Sequence, residues 1–288
     1  MDFEYHQPST MDEVFELLAR LPEAKIVAGG TDLMVQMRRS RRWPPALISL
    51  RRVRELAFIE DGPRLRIGAT VPVREVATHP VVAAGFPALA ESIRVFGSPQ
   101  IRNVATLGGN LCNASPAADC APPLLIYEAK VELGHSGGRR ELPLESFVLG
   151  PGETALRPGE VLTAIVLDPP SRGSRSTFLR KGRVHMDLAI ASIAALVEID
   201  GSTCVSARIA AGAVAPVPRR LARTEAVIGG SDVGAKARTL AGMEARREVS
   251  PISDLRASKE YRRRLTGVFV ERALAQLAPE GIAGGDEQ

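Results

Sequence analysis

Helical spacing opens the chain: Val14, Leu17, Leu18 and Leu21 share one face, and Thr10-Met11-Asp12-Glu13 has the form of a capping box. Pro22 stops that helix. Lys25-Ile26-Val27-Ala28 and Ala46 to Leu50 then read as short strands. In the middle third, Leu65 and Ile67 alternate with Arg64 and Arg66 as in a half-buried strand, and Phe86 to Phe96 reads as a helix. Residues 129–144 read as a hairpin turning at Ser136-Gly137-Gly138, and Val161 to Leu167 as a strand ended by Pro169-Pro170. The flexible, polar stretch 171–176 marks a domain boundary. Beyond it, Thr177 to Gly182, 187–199 and 204–216 read as an antiparallel meander turning at Asp200-Gly201. Two helices follow near 219–228 and 233–245. A longer one spans about 258–278, with Leu265, Val268, Phe269, Leu274 and Leu277 on its apolar face. The pattern predicts an α+β chain: residues 1–174 with subdomains at about 1–55 and 56–174, a second domain at 175–278, and a flexible tail at 279–288.

Composition narrows the classes. The 288 residues are enough for two modest cores, and the apolar fraction of 45% is that of an ordinary globular protein. No apolar run approaches the roughly 20 residues of a membrane helix, and the N-terminal segment lacks a basic-then-apolar signal, which together predict a cytoplasmic protein. The net charge of +4 is mild, with basic clusters at Arg38 to Arg42, Arg51 to Arg54 and Arg262 to Arg264. With only 4% aromatic residues these clusters lack the stacking partners of a nucleic-acid groove; they read as solvated surface or as a docking face. Three cysteines, Cys112, Cys120 and Cys204, are too few for a four-ligand metal centre and odd for a disulfide framework.

The chemistry concentrates in two glycine-paired loops, AGGTDL (28–33) and TLGGNLCNASPAAD (106–119). Glycine admits backbone with φ > 0 and close approach of a ligand, and successive backbone N–H groups there form an anion site. Thr31, Asp32, Thr106, Asn110, Asn113 and Asp119 flank the pair, which suggests a pyrophosphate gripped from two sides: a dinucleotide. The spacing does not fit G-x-G-x-x-G, no Gly-Lys-Ser/Thr is present, and no G-x-S-x-G supports hydrolysis. His6, His79, His135 and His185 stand isolated, His185 beside the basic run Arg180-Lys181-Gly182-Arg183. That run suits a flavin, because reduction builds negative charge along the N1–C2 carbonyl edge of the ring and a nearby cation stabilises it. Asp119 reads as an acceptor for sugar or ribityl hydroxyls, or as the N-cap of a helix entering Pro122-Pro123.

On these residues the chain closely resembles the FAD-binding medium subunits of molybdenum hydroxylases, the group that includes carbon monoxide, xanthine and nicotinate dehydrogenases. IRNVATLGGNLCNASPAADCAPPLL (101–125) and AGGTDL carry the resemblance. It continues through 183–192, 207–220 and 251–265, in order along nearly the whole chain. The resemblance implies a two-subdomain FAD-binding domain of the vanillyl-alcohol-oxidase (PCMH) type, then a C-terminal domain with a three-stranded antiparallel sheet and helices. Carried over, the first diphosphate loop falls on Ile26, Val27, Ala28, Gly29, Gly30, Thr31, Asp32 and Leu33, and the second on Thr106, Leu107, Gly108, Gly109 and Asn110. The acidic contact falls on Asp119, and further flavin contacts on Phe96 and Leu162. Relatives often show Tyr-x-Lys where this chain has Phe178-Leu179-Arg180, so the cation at the flavin falls on Arg180 or Lys181.

The resemblance further implies an electron-transfer subunit with no substrate chemistry of its own. A large partner would carry the molybdenum cofactor, a small partner two iron–sulfur centres, and NAD, a quinone or oxygen would take the electrons. Two alternatives differ in what they need. A self-contained flavin oxidase of the same fold would want a larger substrate cap and often a His or Tyr tether, neither visible here. A scaffold that had lost FAD would not need intact glycine loops.

Overall fold

The computed structural model describes residues 3–184 and 186–278. The tail expected at 279–288, and His185, lie outside the described residues. The first subdomain is a parallel three-stranded sheet in the order β1 (Glu4–His6), β3 (Ala46–Ser49), β2 (Lys25–Val27). Helix α1 (Met11–Arg20) joins β1 to β2, and α2 (Leu33–Ser40) joins β2 to β3. The capping box forms: Thr10 Oγ1 accepts from the Glu13 N–H, while the Glu13 carboxylate reaches back to the Ser9 N–H at 2.6 Å. Short β1 and the basic helix α2 carry no periodic signal of their own. Pairing with buried β3, at Glu4↔Ala46 and onward, supplies what the three residues of β1 lack locally.

The second subdomain starts with β4 (Ile59–Glu60) and β5 (Leu65–Gly68), then runs through five short helices: α3 (Val73–Thr78), α4 (Pro80–Gly85), α5 (Pro87–Arg94), α6 (Pro99–Arg102) and α7 (Leu107–Cys112). After α8 (Ala121–Ile126) come the hairpin β6 (Lys130–His135) and β7 (Gly138–Pro143), the small pair β8 (Val148–Gly150) and β9 (Glu153–Thr154), and β10 (Val161–Leu167). Four of these strands join β10 in an antiparallel sheet of order β4-β5-β10-β6-β7.

The C-terminal domain contains the meander β11 (Arg175–Lys181), β12 (Ala191–Asp200) and β13 (Thr203–Gly212), to which a two-residue strand, β14 (Arg219–Arg220), adds a fourth member. Helix α9 therefore begins at Ala222 rather than 219, because Pro216 and Pro218 bias the chain to extended backbone just before β14. Helices α10 (Ala235–Glu248) and α11 (Lys259–Leu277) complete the domain.

Strand β12 explains how the domains join. Ala194 and Leu196 belong to the core of the second subdomain, whereas Ile193, Ala195 and Val197 pack with α10 and α11. Both faces are buried, which is why the strand reads as a continuous apolar run. Polar bonds seal the junction: Tyr127 Oη to Ser176 Oγ at 2.6 Å, the Phe178 N–H to Glu91 Oε2 at 2.8 Å, and the Ala213 N–H to the Pro116 carbonyl at 2.7 Å. The segment 114–122, which follows the second glycine loop, is thereby fixed between the two domains.

Candidate cofactor cleft

The two glycine loops face each other across a cleft of about 340 Å³, within the roughly 300–1,000 Å³ usual for small-molecule sites. Ile26 through Leu33 line one wall, and Thr106, Gly108, Gly109 and Asn110 the other, with Phe96 and Leu162 between them. Four of the residues singled out from the sequence are not on the wall. Leu107 is buried in the core, Lys181 is exposed at the end of β11, and Asp119 and Arg180 are paired with each other in the domain junction.

The loops differ in what they leave free. After β2 the chain turns at Gly30, whose φ of +71° favours glycine, and enters α2. Among the described residues, the backbone N–H groups of Gly29, Gly30, Thr31, Asp32 and Leu33 donate to no protein acceptor. Five donors at the positive end of an eight-residue helix make an anion site. The second loop is braced instead. Its N–H groups at Leu107, Gly108 and Asn110 donate to the carbonyls of Val71, Ala69 and Thr106, and that of Gly109 donates to Thr106 Oγ1 at 3.0 Å. A Cβ on Gly108 would lie 2.6 Å from the Ala69 carbonyl oxygen, so glycine here serves close packing. What this loop offers a ligand is side chains. Asn110 Oδ1 is buried with no hydrogen-bond partner among the described residues, an acceptor held ready for a donor.

Gln36 and Asn113 also line the cleft, and Gln36 Nε2 donates to Asn113 Oδ1 at 2.8 Å, bridging α2 to the end of α7. Asn113 lies inside the quoted motif, but Gln36 becomes visible only once 33–40 is known to be helical, one turn beyond the loop. Thr70, Leu156 and Gly152 also line the wall, from segments that carry no motif.

At the domain junction Arg180 Nε donates to Asp119 Oδ1 at 2.8 Å, with side chains only 7% and 6% exposed. The same guanidinium donates to the Asp187 carbonyl. Burial pushes the Asp119 carboxyl up to about 6, against the downward pull of the Arg180 charge and hydrogen bond. The N-cap position of α8 is occupied by Cys120, and Asp119 does not cap it. Burial also pushes the thiol of Cys112, on the cleft wall, up to about 12 and that of Cys120 higher still, so neither is a thiolate nucleophile at neutral pH.

A half-open cleft between two α+β subdomains, with an anion site on one wall and an apolar slot beside it, defines a dinucleotide-binding protein. Comparison with known proteins makes this specific. Residues 1–170 match the FAD binding domain in molybdopterin dehydrogenase, and residues 176–277 the CO dehydrogenase flavoprotein C-terminal domain. The chain is 32% identical to the xanthine dehydrogenase FAD-binding subunit of Escherichia coli O157:H7, over 99% of this chain and 98% of that one. It is also 32% identical to the carbon monoxide dehydrogenase medium chain of Hydrogenophaga pseudoflava, over 94% and 96%. A structure of that organism's enzyme superimposes with a TM-score of 0.93, covering 96% of this chain and 97% of that one. Quinoline 2-oxidoreductase from Pseudomonas putida 86 gives 0.92 at 29% identity, covering 98% and 99%. The chain belongs to the family of FAD-binding medium subunits of molybdenum hydroxylases, and its cofactor is FAD.

The cleft fits that cofactor: free N–H donors suit a diphosphate, and the orphaned Asn110 Oδ1 suits a hydroxyl or amide donor. Because the Gln36–Asn113 bond ties the two walls together, Gln36→Ala is expected to speed FAD release about fivefold, equivalent to about 1 kcal/mol for one hydrogen bond. Flavin fluorescence recovery after rapid dilution reads this rate. An unchanged rate would remove Gln36 from the site.

Proposed function

We propose that this chain is the electron-transfer flavoprotein subunit of a molybdenum-containing hydroxylase or dehydrogenase. FAD, when bound, supplies reversible one- and two-electron redox chemistry. The N–H groups of Gly29 to Leu33 would hold its diphosphate, with Thr106 and Asn110 on the opposite wall. Phe96, Leu162 and Leu156 keep water from the apolar slot. Asp119, paired with Arg180 off the cleft wall, would act by fixing the segment that follows the second glycine loop. With Arg180 committed to Asp119, Lys181 is the candidate cation for the N1–C2 edge. The observation that carries the reading is that five residues with free backbone N–H donors and Asn110, with its buried, unpaired acceptor, line one cleft.

The reading assigns the molybdenum cofactor to a large partner chain and two iron–sulfur centres to a small one, with NAD or a quinone as the external acceptor. No described helix is long and apolar enough to cross a membrane, and we take the complex to be cytoplasmic. Co-expression with the partner chains should give a complex of three chain types in which substrate bleaches the flavin absorbance under anaerobic conditions. The purified chain alone should oxidise no purine, aldehyde or N-heterocycle. Rapid oxidation of any of these by the chain alone would overturn the electron-transfer reading in favour of a self-contained oxidase.

A further inference from the structure

Five large apolar side chains stand out from two neighbouring loops of the C-terminal domain. In the β11–β12 loop Val184, Met186 and Leu188 are 68%, 61% and 47% exposed; in the loop before α11, Ile252 and Leu255 are 70% and 82% exposed. Single exposed apolar residues are ordinary, but a cluster rimmed by polar groups marks a binding surface. The loops abut because Arg262, 3% exposed, clamps both. It donates to the Ile190 carbonyl at 2.7 Å at the foot of the first and to Asp254 Oδ1 at 2.8 Å in the second, and is anchored besides to the Ala213 carbonyl, just after β13, at 2.9 Å. Each loop is braced internally. Asp254 Oδ1 accepts from the N–H groups of Arg256 and Ala257, and Arg183 Nε donates to Asp187 Oδ2 at 2.7 Å. These bonds brace described residues beside the apolar tips, which lowers the ordering entropy that burying the tips would cost.

Charge and position select the occupant. Apart from the buried Arg262, segments 181–188 and 251–264 carry six Lys and Arg against three Asp and Glu, so the rim is basic. A second copy of this chain would bring the same sign of charge against it, whereas an acidic protein surface would complement it. The patch also connects to the domain junction that follows the second glycine loop, since Arg180 bonds at once to Asp119 and to the Asp187 carbonyl of the first loop. A chain that exchanges electrons with FAD has to dock close to the cofactor site.

We propose that these two loops form the docking surface for the iron–sulfur partner, which would present an apolar recess ringed by acidic residues. The proposal rests on the electron-transfer reading above and adds to it the face that is used. The more strongly basic segment Arg38 to Arg54 is the competing face, with Met34 and Val35 of α2 as its nearest exposed apolar residues, 38% and 50% exposed.

The test uses the tagged full chain co-expressed with its partner chains. Ile252→Asp/Leu255→Asp and, separately, Met186→Asp should weaken capture of the iron–sulfur chain about tenfold or more. Flavin content and melting temperature should match the wild type. Arg38→Glu/Arg39→Glu should change capture less than about twofold, and added salt should weaken wild-type capture. Undiminished capture by both loop variants would overturn the docking surface. So would loss confined to the α2 variant, or wild-type binding to anionic vesicles that the loop variants abolish while capture persists. A wild-type chain that captures no iron–sulfur chain would overturn the electron-transfer reading along with the surface.

Discussion

Gly30→Val is expected to lose FAD almost completely while keeping most of the fold. At φ +71° a β-branched residue is strained by about 1–3 kcal/mol. The space itself is adequate: a Cβ would meet only Met34 Cγ and Val27 Cγ2, each at the ordinary contact distance of 3.4 Å. The chain therefore relieves the strain by rotating the 30–31 peptide rather than by unpacking its core. That rotation would turn aside the Thr31 N–H and displace the N–H of Asp32 beside it, two of the donors proposed for the diphosphate. Each charge-assisted bond to phosphate is worth about 1.5–3 kcal/mol, so losing two weakens binding by roughly 10²- to 10⁴-fold. Flavin-to-protein ratio after gel filtration and the FAD Kd measure it. Gly29→Ala serves as the contrast, because a Cβ there would overlap the Val104 carbonyl oxygen and disturb packing before binding. Stoichiometric flavin in Gly30→Val would remove this loop from the cofactor site.

The same loop shows what a sequence can and cannot disclose. Gly-Gly after a short apolar strand is a local signal, and the α2 start at Leu33 turns it into a set of free donors. The helix that provides this start was invisible, because Leu33-Met34-Val35-Gln36-Met37 runs into Arg38 and Arg39 without amphipathic spacing. Only Met37 of that helix is buried. The second loop looked equivalent on paper. Two of its donors are taken locally by Thr106 and two by Val71 and Ala69 of the β5–α3 turn, a tertiary fact no local pattern carries. In the C-terminal domain the meander was legible because β12 and β13 alternate or run apolar for ten residues each. The fourth strand was not, since two arginines after Pro-x-Pro acquire strand geometry only through Ala210 and Ala211. The sequence pointed to Arg180 or Lys181 as a cation for the cofactor, but the burial of Arg180 against Asp119 across 61 residues of sequence was not legible.

That pair carries the other large effect. Arg180→Met leaves a carboxylate only 6% exposed without its cation, and breaking a buried pair from one side costs about 3–5 kcal/mol. Arg180→Lys should recover part of this, since an ammonium cannot serve both Asp119 and the Asp187 carbonyl as the planar guanidinium does. Adding Asp119→Asn to Arg180→Met should recover more, because no buried charge is then left over. The pH dependence separates electrostatics from lost packing. Asp119 is held at about 6 against an ordinary 3.8, so the folded chain binds this proton more tightly than the unfolded chain does. Its contribution favours the fold in acid and is lost as pH rises from 3.8 through about 6. At neutral pH the penalty is about 3 kcal/mol, at about 1.4 kcal/mol per pH unit. Glu160 and Asp254, both held down at about 2, work in the opposite sense. Their stabilisation is complete above 4.5 and 3.8 and is lost as pH falls through about 2. Denaturant titrations of the wild type should therefore show stability rising on acidification from about pH 7 to 5. Asp119→Asn should flatten that rise, and Arg180→Met, with the cation gone, should move it to higher pH. An Asp119→Asn chain that kept the wild-type slope would show that another group titrates in this window.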